Sequence, residues 1–227
     1  MGNTGPLRWH NGLGWIILSG GGELEDLSDT HRAAIDAMGD ESPAMFLPTA
    51  SATPDQGRGR GELVMEQIEE LGGPIGYVAP IFTRTDASDP KNVRRLTQAG
   101  LVYLGNGQAQ RLIEILNGTP TLDALAAAYE AGAVIVAEGQ AACALGAWGL
   151  CAQGNTIAGW SWLPDALICP AFDDPTKLHK AIKAKPECLG LGIPKGVALA
   201  LGPENQVQTL SASGQQVTVV LGHRFQP

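Results

Sequence analysis

The stretch Ala133-Val134-Ile135-Val136-Ala137-Glu138-Gly139-Gln140-Ala141-Ala142-Cys143-Ala144 begins as a continuous apolar run and breaks into a turn of small residues. A run that is apolar throughout, rather than alternating, suits a strand buried on both faces, as in a parallel sheet covered by helices. Gly139, Ala142 and Ala144 supply the small side chains needed where a strand turns sharply into a helix and backbone meets backbone. That strand–turn–helix layout is the one in which a nucleophile elbow pushes one residue outward, with N–H groups ready for an oxyanion. The apex, two residues past Gly139, is expected at Ala141, and alanine carries no nucleophile.

Working outward, four more continuous runs precede this one: Trp15–Leu18, Ala44–Leu47, Ile75–Val78 and Leu101–Leu104. Helical spacing fills the gaps between them. Leu27, His31, Ala34, Ile35 and Met38 share one stripe, and Leu63, Val64, Ile68 and Leu71 another, with Glu62, Glu66, Glu69 and Glu70 facing outward. Asp89-Pro90 caps and opens a third helix, and Leu122 to Tyr129 forms a fourth. The glycine-arginine stretch 56–61 is expected to be a loop. Towards the C-terminus, Val197–Leu201, Gln206–Leu210 and Val217–Leu221 read as strands, the last two joined across Ala212-Ser213-Gly214. The expected fold is a single α/β domain over residues 1–227, a three-layer α/β/α sandwich whose mainly parallel sheet finishes with antiparallel strands.

Composition narrows the functions open to such a domain. Fifteen Lys and Arg against twenty-three Asp and Glu give a net charge of −8, the wrong sign for a general nucleic-acid binder. No apolar run is long enough to span a bilayer, so no membrane partner is expected. The first six residues lack the basic and apolar regions of a secretory signal. Cys143, Cys151, Cys169 and Cys188 have neither CxxC nor zinc spacing, so reduced thiols and a cytoplasmic location are expected, with no metal.

In open α/β sheets functional groups gather at the carboxyl ends of strands. There the chain carries Ser19-Gly20-Gly21-Gly22-Glu23, Pro48-Thr49-Ala50-Ser51, Gly105-Asn106-Gly107-Gln108 and the Gly139-Gln140 turn. Gly21, Gly22, Gly105, Asn106, Gly107, Gln108, Gly139 and Gln140 could cradle an anion with backbone N–H groups. The glycine run after the first strand has neither the ending of a P-loop nor the spacing of a dinucleotide fingerprint, so no cofactor is expected. Trp160 and Trp162 could wall a ligand cleft or pack in the core. Cys143 is a fallback nucleophile or a small buried cysteine. Ser161, in Gly159-Trp160-Ser161-Trp162, mimics an elbow locally, without the preceding buried strand. His179 follows Asp173-Asp174-Pro175 on a capped helix, and Arg111 is either a ligand contact or a structural cation.

The order Leu18-Ser19-Gly20-Gly21-Gly22-Glu23, then Leu47-Pro48-Thr49-Ala50-Ser51, then Leu104-Gly105-Asn106-Gly107-Gln108-Ala109-Gln110-Arg111-Leu112, then the Gly139 turn, resembles the S51 serine peptidases. These include cyanophycinase and peptidase E, an aspartyl dipeptidase, in the class I glutamine amidotransferase-like fold. The resemblance implies Ser, His and an acidic residue acting together. In family elbows of the form Gly-x-Ser-Ala-Gly-Ala, the serine would align with Ala141. The His position, in a segment like Asp-x-His-Phe, aligns with Ala171, and the acidic one with Pro194-Lys195. Acyl transfer through such a triad needs the hydroxyl, the base and the orienting carboxylate. The expectation is a catalytically inactive homologue whose cleft binds a small acidic or peptide-like ligand or a protein partner. A divergent hydrolase using Cys143 or Ser161, or a structural homodimer with a filled cleft, are the alternatives.

Overall fold

The computed structural model describes residues 6–39 and 42–225. Residues 1–5, which carry most of the segment read above for a secretory signal, lie outside them.

The chain alternates strand and helix through its first half. β1 (Trp15–Ser19) leads to α1 (Ser28–Asp36), β2 (Ala44–Leu47) to α2 (Pro54–Glu70), and β3 (Gly76–Val78) to α3 (Pro90–Leu96). β4 (Leu101–Leu104) is followed by α4 (Ala109–Leu116) and α5 (Pro120–Ala131), and then comes β5 (Val134–Glu138). The continuous apolar runs are strands, and β1, β2, β4 and β5 are almost wholly buried. Asp89 caps α3 by accepting from the Lys91 amide, with Pro90 in the first turn.

The second half differs from the single sheet expected. β6 (Gly146–Leu150), β7 (Thr156–Ala158), β8 (Leu163–Pro170), α6 (Pro175–Ala184) and β9 (Leu189–Ile193) come before β10 (Val197–Leu201), β11 (Val207–Ser211) and β12 (Thr218–Leu221). They divide between two sheets. The larger has the order β11-β10-β1-β5-β4-β2-β3, and the smaller β12-β9-β8-β6-β7. β1 to β5 run parallel, and β10 and β11 add antiparallel strands at one edge. The hairpin expected across Ala212-Ser213-Gly214 does not form: β11 pairs with β10, and β12 crosses to pair with β9. Residues 212–217 make a connection too long for a two-residue hairpin turn, and each strand completes the edge of a different sheet.

Helices α1 and α2 cover one face of the large sheet, packing Ala34, Val64 and Ile68 on Ile17, Phe46 and Tyr103. The other face shares a core with α3, α4, α5 and the small sheet, where Leu96, Leu112 and Leu125 meet Ile16, Val102, Ile168 and Leu191. Helix α6 closes the outside of the small sheet through Leu178 and Ile182.

The stretch 56–61, expected as a loop, lies inside α2. Thr53 caps the helix by accepting from the Gln56 amide, and Pro54 sits in the first turn. Gly57 and Gly61, four residues apart, face inward. A Cβ at Gly61 would stand 2.6 Å from the Phe46 ring, so glycine lets the helix lie directly on β2. The same helical turn aims Arg60 at the end of β5.

Candidate functional site

β5 ends at Glu138, and the next residue, Gly139, takes a left-handed φ of +55°. Residues 139–145 then form a 3-10 turn leading into β6, in place of the expected α-helix. The chain thus reverses at Gly139, two residues before the expected apex Ala141, and both residues are buried. Ala141 is fully buried in the main core. Glycine supplies no side chain at this turn.

The space above the turn is occupied by the chain itself. Asn106 Oδ1 accepts hydrogen bonds from the Gln140 amide at 3.0 Å and the Gly107 amide at 2.8 Å. A Cβ placed on Gly139 would lie 2.5 Å from the same oxygen. The amide following the turn's strained residue is the one an elbow offers to an oxyanion, and here it is already satisfied. The glycine run is filled in the same way: Ser19 Oγ accepts from the Gly21 amide at 3.1 Å, and Asp26 Oδ2 from the Glu23 amide at 3.0 Å. Internal oxygens thus take up several of the amides expected to cradle an anion. Gly105 presses on the Phe46 ring, and Gln108 leads into α4.

Beneath the elbow lies a buried polar chain. Arg60 donates to Glu138 Oε1 at 2.7 Å and to the Gly22 carbonyl at 3.4 Å. Burial opposes the Arg60 charge, but the Glu138 carboxylate outweighs it, and the guanidinium pKa is raised. Tyr103 is pushed well above the usual phenol range, first by burial and then by Glu138. The Tyr103 hydroxyl lies 3.2 Å from His31 Nε2, and burial lowers the His31 pKa to about 4, so this imidazole is neutral at pH 7.

Beside the elbow, towards the small sheet, opens a pocket of about 730 Å3. It brings together three residues singled out from sequence: Gln140, Ala171 and Lys195. Ala171 has a φ of +50° and donates its amide to the Gly20 carbonyl, and the Gly196 amide donates to the Gly21 carbonyl. Those two bonds tie the ends of β8 and β9 to the glycine run. Gln140 faces the pocket and accepts from the Ala152 amide at 3.2 Å. Helix α6 adds Lys177 and Lys180, which drew no attention in the sequence because nothing there showed α6 packing beside the elbow.

The remaining candidates lie apart from this pocket. Cys143 is fully buried, its thiol within 3.8 Å of the Leu150 and Ile168 carbonyls. Burial, then the neighbouring Cys151 and Cys169, pushes its pKa well up, the opposite of an activated thiol. Ser161 is exposed on a left-handed turn with φ +58°. Trp162 is in the core, stacked on His10 at 5.5 Å and tilted against Tyr129 at 5.4 Å, and Trp160 packs against the same cluster. His179 is exposed on α6, capped at Asp174 as expected, with Nδ1 2.7 Å from the Pro175 carbonyl. Arg111 donates to the Phe82 carbonyl, a structural contact. Among the described residues, no helix is long and apolar enough to cross a membrane.

Comparison with known proteins places this geometry. The model for peptidase family S51 matches residues 15–208. Cyanophycinase from Synechococcus elongatus is 24% identical over 188 residues, which cover 77% of this chain and 57% of that protein. Cyanophycinase from Thermosynechococcus vestitus matches to the same extent, so the chain spans little more than half the length of these relatives. A peptidase from an acI-B1 Actinobacterium shares the fold, with a TM-score of 0.75 at 19% identity, covering 96% of each chain. A putative peptidase E protein from Listeria monocytogenes EGD-e has a TM-score of 0.59 at 13% identity, covering 87% of this chain and 98% of that one.

Proposed function

The chain belongs to peptidase family S51, and we propose that it is a non-hydrolysing member that holds a small acidic or peptide-like ligand in the pocket beside its elbow. The observation that carries this reading is Asn106. Its Oδ1 lies where a side chain on Gly139 would project, and it already accepts the hydrogen bond of the Gln140 amide. Removal of one oxyanion donor alone costs an enzyme of this kind about two to three orders of magnitude in rate. Here Gly139 and Ala141 also supply no nucleophile. Ala171, at the position the resemblance gives to the base, has no proton-accepting side chain, and Lys195, at the position of the carboxylate, brings a cation instead.

The alternative hydrolase with Cys143 as nucleophile is disfavoured by the burial of that thiol, and no histidine lines the pocket. Lys195, Lys177 and Lys180 around the pocket favour an anionic ligand, against a chain whose net charge of −8 repels unspecific anions. The free cysteines fit a reducing, cytoplasmic setting.

The test combines turnover and binding. An aspartyl dipeptide and a cyanophycin-like peptide are incubated with the protein, and the same ligands are titrated by calorimetry. The expected result is no hydrolysis above the buffer blank, with dipeptide binding weakened in Lys195→Glu. Hydrolysis by the wild-type protein would overturn the reading.

A further inference from the structure

The pocket beside the elbow has two chemically distinct parts. Its rim carries Lys177, Lys180 and Lys195, all exposed. Lys177 is paired with Asp173 at 3.2 Å. Among the described residues, neither Lys180 nor Lys195 has an ion-pair partner, so two ammonium groups from different segments face one opening, whose Asp173 carboxylate is engaged by Lys177. Leu150, Cys169, Pro170 and Ala181, all buried, form an apolar floor, and Gln140, Gln153, Asn155 and Thr156 line the wall beside it. Cys169 belongs to this floor as a small hydrophobe, since burial raises its pKa to about 11 and keeps the thiol neutral.

A free aspartate or acidic dipeptide can pair with the rim but leaves the apolar part of the floor uncovered. One negative head on a hydrocarbon body fits both parts. The volume of about 730 Å3 lies within the range that holds ligands of this size.

Resting on the ligand-binding reading of this site, we infer that the pocket takes a single-chain amphiphilic carboxylate, such as a medium-chain fatty acid. The carboxylate lies between Lys180 and Lys195, and the chain lies over Leu150, Cys169 and Ala181. Recognition then has two separable contributions, charge at the rim and apolar burial on the floor, and removing either one weakens binding. The Gly21 and Gln140 amides, taken by internal oxygens, do not contribute.

The experiment is calorimetric titration of the full chain, at low salt, with decanoate below its micelle concentration, decanol, and an Asp-containing dipeptide. Decanoate is expected to bind at least about tenfold more tightly than either of the others. Lys180→Glu is expected to weaken decanoate about tenfold and leave decanol unchanged. Ala184→Trp, on the exposed mouth of the pocket, is expected to weaken both by obstructing the chain, with an unchanged melting temperature showing that the fold is intact. Dipeptide binding with no preference for decanoate would overturn the amphiphile assignment and leave the acidic-ligand reading standing. Equal binding of decanoate and decanol, or decanoate binding indifferent to both variants, would overturn the assignment as well. Binding of none of the three would overturn both readings.

Discussion

The Gln140 amide donates a 3.0 Å hydrogen bond to Asn106 Oδ1, across the turn that follows β5. The bond links the ends of β4 and β5, and Asn106 also holds the Gly107 amide. The backbone donor that follows the turn's left-handed residue is thereby a structural contact.

The first prediction concerns that turn. Gly139→Ser is expected to give no hydrolysis of an aspartyl dipeptide, and the same holds for Ala141→Ser. A serine at 139 would keep a left-handed φ at a cost of about 1–3 kcal/mol and press on Asn106. Its melting temperature should fall, and Gly139→Ser with Asn106→Ala should recover part of the loss while still hydrolysing nothing. Turnover by either serine variant would reveal a base that the structure does not bring to the turn.

A second prediction follows from the Arg60–Glu138 pair, 2.7 Å apart with the carboxylate buried. Breaking one side of a buried pair strands the other charge, so Arg60→Ala and Glu138→Ala should each cost about 3 kcal/mol in urea unfolding. Replacing both, as Arg60→Met with Glu138→Leu, should cost much less than the sum of the two single changes. Additive losses would show that the two side chains do not act as a unit.

Arg60 also shows where sequence reading stops. The runs behind β1, β2, β4 and β5 were legible because strands buried on both faces must be apolar throughout. The stretch 56–61 was misread because glycine and arginine carry loop propensity, whereas tertiary packing on Phe46 demanded glycine in a helix. The Thr53-Pro54 cap was the available signal. β9 was hidden for a similar reason. Its glycines Gly190 and Gly192 look like turns, yet a Cβ at either would collide with α6 or Phe172, 2.9 Å and 2.7 Å away. The elbow was located to within two residues. Its occupant was not legible, because the Asn106–Gln140 bond spans residues whose adjacency is set by the β4–β5 register.

His31 supplies a pH prediction. Its folded pKa is lowered to about 4, chiefly by burial, against an ordinary value of 6.5. The unfolded chain therefore binds a proton between these values that the folded chain refuses. Stability from keeping His31 neutral is fully present above pH 6.5 and is lost as pH falls towards 4, by an amount on the order of 2–3 kcal/mol. Urea unfolding at pH 7 and pH 4.5 should show a larger drop for the wild type than for His31→Gln. Equal drops would assign the acid sensitivity to other groups.

The last prediction concerns Asp165, on β8, which is buried and accepts from two arginines at opposite ends of the chain. Arg8 donates its Nε to Oδ2 at 2.6 Å, and Arg224 donates Nη1 to Oδ1 at 3.1 Å. The segment before β1 is held further by the His10 amide on the Trp162 carbonyl and by Tyr129, whose hydroxyl donates to the His10 carbonyl. The segment after β12 is held by backbone bonds to Pro186 and Cys188. Asp165→Ala removes a carboxylate that the two segments share and leaves both guanidinium groups to solvent, where they are readily hydrated. The penalty is therefore confined to the lost charge-assisted bonds, about 1–3 kcal/mol. Hydrogen exchange should quicken in residues 7–13 and 222–225 together, while β4 and β5 keep their protection. Arg8→Ala alone should loosen only the first segment. Faster exchange at one end in Asp165→Ala, with the other unchanged, would show that the carboxylate does not couple the two.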